Sequence, residues 1–256
     1  MPGGRTSTSP RDAFDKAVRQ ALDHPANLRA LVEFALPDLR GLLDFGRREV
    51  VPTKSVLEDW RGRESDLLVR LPFKGRSRRR SLLVCVLVEH QSRPDPSMVL
   101  RVLIYGVLFW EKELRDWENL KGKRRKPLRL TPIIPIVFHT GDAPWNTHQV
   151  LAELFDHPPE LERLLPAWSI VFWDLPRQNV EDLLRSDEEW IRALALFRAS
   201  RSERGRFQEV LRAVVTGLNR LSAAEPNRWY DLMRLLMTLG LRNRPGDERE
   251  ELTTLM

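Results

Sequence analysis

One run constrains this chain more than any other. Ser81-Leu-Leu-Val-Cys-Val-Leu-Val88 is almost wholly apolar, rich in Val and Leu, and is followed at once by Glu89-His90-Gln91. A run of that kind without alternation fits a strand buried on both faces. A helix is the competing reading of any short apolar run. The β-branched content and the polar, proline-containing Arg93-Pro-Asp-Pro96 favour the strand. Glu64 to Leu71 reads as its partner strand, joined to it by a basic turn. Side chains on a strand alternate, so Glu89 and Gln91 point to the same side. Asp66, on the partner strand, is placed to lie beside them. Two carboxylates and a carboxamide converging on one spot supply oxygen ligands for a hard cation such as magnesium.

The rest of the chain is arranged around this hairpin. Asp12 to Phe34 carries two helical stripes, Phe14-Ala17-Val18-Ala21 and Leu28-Leu31-Val32-Ala35, punctuated by Pro25 and Pro37. Leu39 to Val51 reads as a helical turn and an extended segment, with Leu42, Leu43 and Phe45 as core candidates. After Pro94 to Ser97 comes a helix that is apolar nearly all round, Met98 to Trp110, with Arg101 as the exception. Such a helix is buried, and its arginine needs a partner because an unpaired buried charge is costly. A carboxylate of the candidate site is one candidate, and Glu64 or another scaffold carboxylate is the other.

Thr131 to His139 is a further buried strand, where Pro135 hints at an edge or a bulge. A turn follows through Gly141 and Trp145, then a short helix from Gln149 to Phe155 and a strand from Trp168 to Leu175. From Val180 onward the pattern is helical only: Glu181 to Arg185, Glu188 to Arg201, Arg206 to Leu221 and Trp229 to Leu241. Arg242 to Met256 reads as a frayed or mobile end.

Lys and Arg exceed Asp and Glu by 42 to 36, a net charge of +6. The distribution says more than the sum. Lys74, Arg76, Arg78, Arg79 and Arg80 crowd the hairpin turn, and Lys121, Lys123, Arg124, Arg125 and Lys126 form a second cluster. Charge runs in loops are ordinarily just solvated. The functional reading is contact with nucleic-acid phosphates, where each Lys or Arg releases counterions. No apolar run approaches the ~20 residues that span a bilayer, and the first ten residues lack the apolar core of a secretory signal. A disordered tail over 1–10 and a cytoplasmic location without membrane contact follow as expectations. The single Cys85 forms no internal disulfide and reads as a core residue. No His/Cys set has zinc spacing, no Gly-rich phosphate loop is present, and no Gly-x-Ser-x-Gly supports a serine nucleophile. His90 points away from its neighbours and, like His139, reads as a packing residue.

Several stretches together resemble a known group. They are Asp12-Ala-Phe-Asp-Lys16, Glu64-Ser-Asp66-Leu-Leu, Val88-Glu89-His90-Gln91-Ser92, Met98-Val-Leu-Arg101-Val-Leu-Ile-Tyr105, and Pro135-Ile-Val-Phe-His-Thr-Gly141 followed by Trp145. Over about Arg11 to Leu175 the chain resembles the bacterial recombination-promoting nuclease and transposase family, the YhgA-like group. More broadly it resembles the restriction-endonuclease-like, or PD-(D/E)XK, superfamily. The resemblance implies an α/β fold: a mixed β-sheet flanked by helices in α-β-β-β-α-β order over 11–175, with an all-helical extension over 176–256. It implies magnesium-dependent cleavage of DNA, with manganese as a substitute. Residue by residue, Asp66 matches the acid of the second core strand and Glu89 that of the third. Gln91 stands where the superfamily usually has lysine. Both acids, with the backbone carbonyl of His90, are the implied metal ligands. Glutamine lacks the lysine's charge but orients a water by hydrogen bonding. Arg101, Tyr105 and Glu64 are supporting residues. DNA is the implied partner, and a homodimer through the C-terminal helices is a further expectation. The alternative is a catalytically inactive protein of the same fold that binds nucleic acid or oligomerises.

Overall fold

The computed structural model describes residues 17–52, 67–75, 81–89, 95–120, 127–141, 145–240 and 244–253. The chain is α/β: a mixed five-stranded sheet with helices, followed by a helical region. The packing divides it into two compact units, one running Ala35–Trp173 and the other joining the residues up to Phe34 with those from Asp174 onward.

In the first unit the strands are β1 (Glu49–Val51), β2 (Leu67–Pro72), β3 (Ser81–Glu89), β4 (Ile133–His139) and β5 (Val171–Asp174). They lie side by side in that order. β1 and β3 pair antiparallel with β2, and β4 pairs parallel with β3. The helix α3 (Met98–Glu118) makes the crossover from β3 to β4, as a parallel pair requires. With residues 17–22 (α1) and α2 (Pro25–Ala35) ahead of the sheet, the expected α-β-β-β-α-β order is met. β3 is the central strand, which explains why its sequence does not alternate: Leu82, Leu83, Val84 and Val86 are all buried.

Alternation along the strands assigns one side to α3. Leu68, Leu83 and Val137 join Met98, Val99, Val102, Tyr105 and Phe109 of the helix in one core cluster, with Trp145, Leu151 and Ile170 closing it. Removing one such buried side chain costs about 2–5 kcal/mol. Gly106 lets Trp168 come close, since a Cβ there would lie 3.2 Å from its ring. Glu113 of α3 accepts the backbone N–H of Thr131 at 2.8 Å, and Trp110 Nε1 donates to the Thr131 carbonyl at 2.8 Å. The entry to β4 is thereby locked to the helix.

Three expectations are corrected here. Pro135 does not mark an edge, because β4 lies between β3 and β5. The Leu83 N–H donates to the Pro132 carbonyl, so in this parallel ladder it is Ile134, Ile136 and Phe138 that turn their amides to β3. The missing donor of Pro135 falls on the other side and leaves the β3 ladder whole. Leu42 is half exposed, whereas its neighbours Leu43 and Phe45 are buried as expected. The strand expected from Trp168 shortens to Val171–Asp174, because Ser169 makes an isolated bridge with Val150 instead.

The second unit is helical. α4 (Val180–Leu184), α5 (Glu189–Ala199), α6 (Arg204–Ala224) and α7 (Pro226–Gly240) follow the expected pattern closely. On α6, Phe207, Val210, Leu211, Val214, Leu218 and Leu221 are buried at helical spacing. Arg228 is 4% exposed and donates to Asn27 Oδ1 at 2.9 Å, Glu189 Oε2 at 3.1 Å and Glu225 Oε1 at 3.3 Å. Asn27 in turn donates to the Ala21 carbonyl at 2.8 Å. This satisfied network binds α2, α5 and α7 together, as a buried cation demands. The end expected to be frayed instead carries α8 (Gly246–Thr253). Its sequence is too charged to show an apolar stripe. The anchor is buried Arg244, which donates to Glu248 Oε2 at 2.8 Å and to the Ser202 carbonyl at 2.6 Å, over the ring of Phe207.

Candidate functional site

The site expected from sequence lies at the C-terminal end of β3. The structure follows that strand to Glu89, whose backbone pairs with that of His139 at the end of β4. The Glu89 side chain lies outside what the structure describes. So do Glu64, Asp66, His90 and Gln91, and the basic residues Arg76, Arg78, Arg79, Arg80, Lys121, Lys123, Arg124, Arg125 and Lys126. Of the proposed phosphate contacts, Lys74 is described: it is exposed, in the turn after β2.

Around the end of β3 the described residues are ordered by packing and capping. His139 is fully buried, edge-on to Trp145 at 5.3 Å and stacked on Phe172 at 6.2 Å. It is a packing residue, as the sequence suggests. Tyr105 is 3% exposed, on the sheet-facing side of α3. Arg101 lies beside it on the helix, and its Nη1 is 3.2 Å from Asp95 Oδ2. The other oxygen of Asp95 accepts the Ser97 N–H at 2.9 Å and its hydroxyl at 2.7 Å. One carboxylate thus fixes the entry to α3 and engages the arginine. Sequence reasoning passed over Asp95, although Asp-x-Ser ahead of an apolar helix is a capping pattern.

A second cation sits on the same side of the sheet. Arg70 lies over the Phe109 ring at 5.6 Å, with Glu113 4.0 Å away. Its signal was a charge interrupting the apolar β2. Among the described residues no group of three His, Cys, Asp or Glu could hold a metal ion. The donors expected to do so are those outside the described residues. Among the described residues no helix is long and apolar enough to cross a membrane.

Comparison with known proteins supplies what the geometry leaves open. The model of the family described as "Putative transposase, YhgA-like" matches residues 12–228. Recombination-promoting nuclease RpnD of Escherichia coli O157:H7 is 30% identical over 145 residues, 55% of this chain and 50% of the relative. Recombination-promoting nuclease RpnC of Escherichia coli strain K12 is 30% identical over 160 residues, 61% of this chain and 47% of the relative. The chain spans about half the length of these two relatives. A third, named "Putative inactive recombination-promoting nuclease-like protein YjiP", also of strain K12, is 33% identical over 103 residues, 40% of this chain and 93% of the relative. No solved structure matches. With the match running from residue 12 to residue 228, the chain belongs to the YhgA-like transposase family.

Proposed function

We propose that this chain is a magnesium-dependent DNA endonuclease of the PD-(D/E)XK type, associated with transposition or recombination. The observation that carries the reading is the family match over residues 12–228, joined by relatives named recombination-promoting nucleases. The strand order supports it, because the central β3 ends at Glu89. The catalytic part is proposed to fall within 11–175, with DNA as the substrate.

In this reading Asp66 and Glu89, with the His90 carbonyl, hold the metal through oxygen donors suited to a hard cation. When bound, magnesium polarises a phosphate oxygen and lowers the pKa of a water. Gln91 accepts from and donates to that water and so fixes its direction of attack. The proposal requires positions 66, 89 and 91 to keep the strand parity of Leu68 and Leu83, which belong to the α3 side of the sheet. Arg101 and Tyr105 support the site from α3, with Glu64 a third supporting residue. The basic residues around Lys74 and Lys121 contact DNA phosphates. A homodimer through the C-terminal helices belongs to the proposal; Tyr230 and Met237, exposed on α7, are side chains such a contact would cover.

Plasmid nicking by the full chain tests the reading. Asp66→Ala and Glu89→Ala each abolish magnesium-dependent cleavage; if both cut as fast as the parent, the assignment is wrong. The second reading is a binding protein without turnover, favoured by the 33% identity to a relative named inactive. DNA affinity without cleavage or magnesium binding selects it.

A further inference from the structure

We propose that Arg40 and Arg47, with Lys74, form a second phosphate-contacting ledge beside the basic hairpin turn, with the backbone of double-stranded DNA as its partner. The inference rests on the nuclease reading for the identity of the polyanion. Its geometry does not.

The loop before β1 is stitched to the turn after β2. The Asp44 N–H donates to the Pro72 carbonyl at 2.9 Å, and the Lys74 N–H donates to the Leu42 carbonyl at 2.9 Å. Between them Leu43 makes an antiparallel bridge with Phe73. Buried Leu43 and Phe45 anchor the loop. Two glycines with positive φ, Gly41 at 74° and Gly75 at 67°, allow both backbones to turn where they meet. The consequence is that Arg40 and Arg47, distant in sequence from the hairpin turn, are held beside its base. From Lys74 the sequence runs on into Arg76, Arg78, Arg79 and Arg80.

Arg40, Arg47 and Lys74 are all exposed. Among the described residues none of the three forms an ion pair, whereas some exposed arginines do, such as Arg29 with Glu188 and Arg185 with Asp182. The acids on the segment lower the local charge but form no ion pair with these cations. Asp44 accepts the backbone N–H of Arg47, and Asp38 and Glu49 make no ion pair with either arginine. The loop leads straight into β1, the outer strand of the sheet, so among the described residues no further strand lies beyond it. Cations held on a fixed backbone lose little freedom on binding, and each phosphate they neutralise releases a counterion. In sequence, arginines at 40 and 47 interspersed with acids gave no signal. The bridge to Phe73 supplies it.

The test is DNA affinity of the full chain, read by fluorescence anisotropy of a labelled duplex across a range of salt, with a chelator present to prevent cleavage. Arg40→Gln/Arg47→Gln flattens the slope of log affinity against log salt by about 1.8, from ~0.9 per phosphate contact. Arg40→Lys/Arg47→Lys keeps the parent slope. Arg212→Gln/Arg220→Gln, exposed on α6, also keeps it and controls for general loss of charge. A parent slope in the Gln pair, or a flattened slope in the Lys pair, overturns the ledge. A parent that binds duplex with the predicted dependence on Arg40 and Arg47 but never cuts supports the ledge and removes the nuclease reading. A parent that cuts, with a slope indifferent to Arg40 and Arg47, removes the ledge alone.

Discussion

Asp95 holds Arg101 across the first turn of α3, with Nη1 3.2 Å from Oδ2 and both side chains largely sheltered from water. Its other oxygen is committed to Ser97. Asp95→Ala removes at once the contacts that hold Ser97 and one partner of a sheltered cation. The expected cost is about 1–2 kcal/mol in urea unfolding. A double-mutant cycle with Arg101→Ala gives a coupling of about 1 kcal/mol. A coupling of zero means that the pair is incidental.

In the proposed mechanism Gln91 orients the attacking water and does not hold the metal. Gln91→Ala therefore lowers the cleavage rate by about a hundredfold and leaves the affinity for manganese, followed by calorimetry, near that of the parent. Equal loss of rate and affinity transfers Gln91 to the ligand set.

Gly217 on α6 makes room for Arg192 of α5. A Cβ at position 217 would lie 2.5 Å from Arg192 Nη1 and 2.7 Å from its Cδ. Arg192 reaches past it to donate to the Ser186 carbonyl at 2.7 Å. Ala ordinarily stabilises a helix by about 1 kcal/mol over Gly. Here Gly217→Ala lowers the melting temperature, because the arginine must move. In an Arg192→Ala background the same change raises it. Additive effects of the two substitutions refute this reading of the contact.

Arg244 secures α8 through two kinds of partner, Glu248 on the helix itself and the Ser202 carbonyl at the turn between α5 and α6. Arg244→Ala releases the helix, and limited proteolysis then cuts before Gly246 at a protease dose that leaves the parent intact. Glu248→Gln has the smaller effect, since the carbonyl contact persists.

What the sequence made legible follows its buried runs. β3, β4 and α3 are apolar enough to announce themselves, and the stripe on α6 is regular. The errors share one cause, which is that a distant partner decided the matter. Pro135 is tolerated in an inner strand because its amide side faces away from β3. Ser169 bridges Val150 and takes Trp168 out of the strand. α8 is tied down by polar contacts of Arg244 that leave no apolar stripe in the sequence. The 3₁₀ segment Pro159–Leu164 has no buried residue and so no period to detect. For the candidate site, residue type and order suggested two acids and an amide, whose side chains lie outside the described residues. The pairing of Asp95 with Arg101 and the proposed ledge of Arg40 and Arg47 needed three-dimensional contacts to be recognised.

Asn27 and Arg228 share a hydrogen bond although 201 positions separate them. A ribosome adding about 5–20 residues per second releases the second partner roughly 10–40 seconds after the first. Throughout that interval α2 has no guanidinium to satisfy its asparagine. The helical unit is therefore completed well after its first helices have emerged. Its early helices are the segment most in need of a chaperone while they wait.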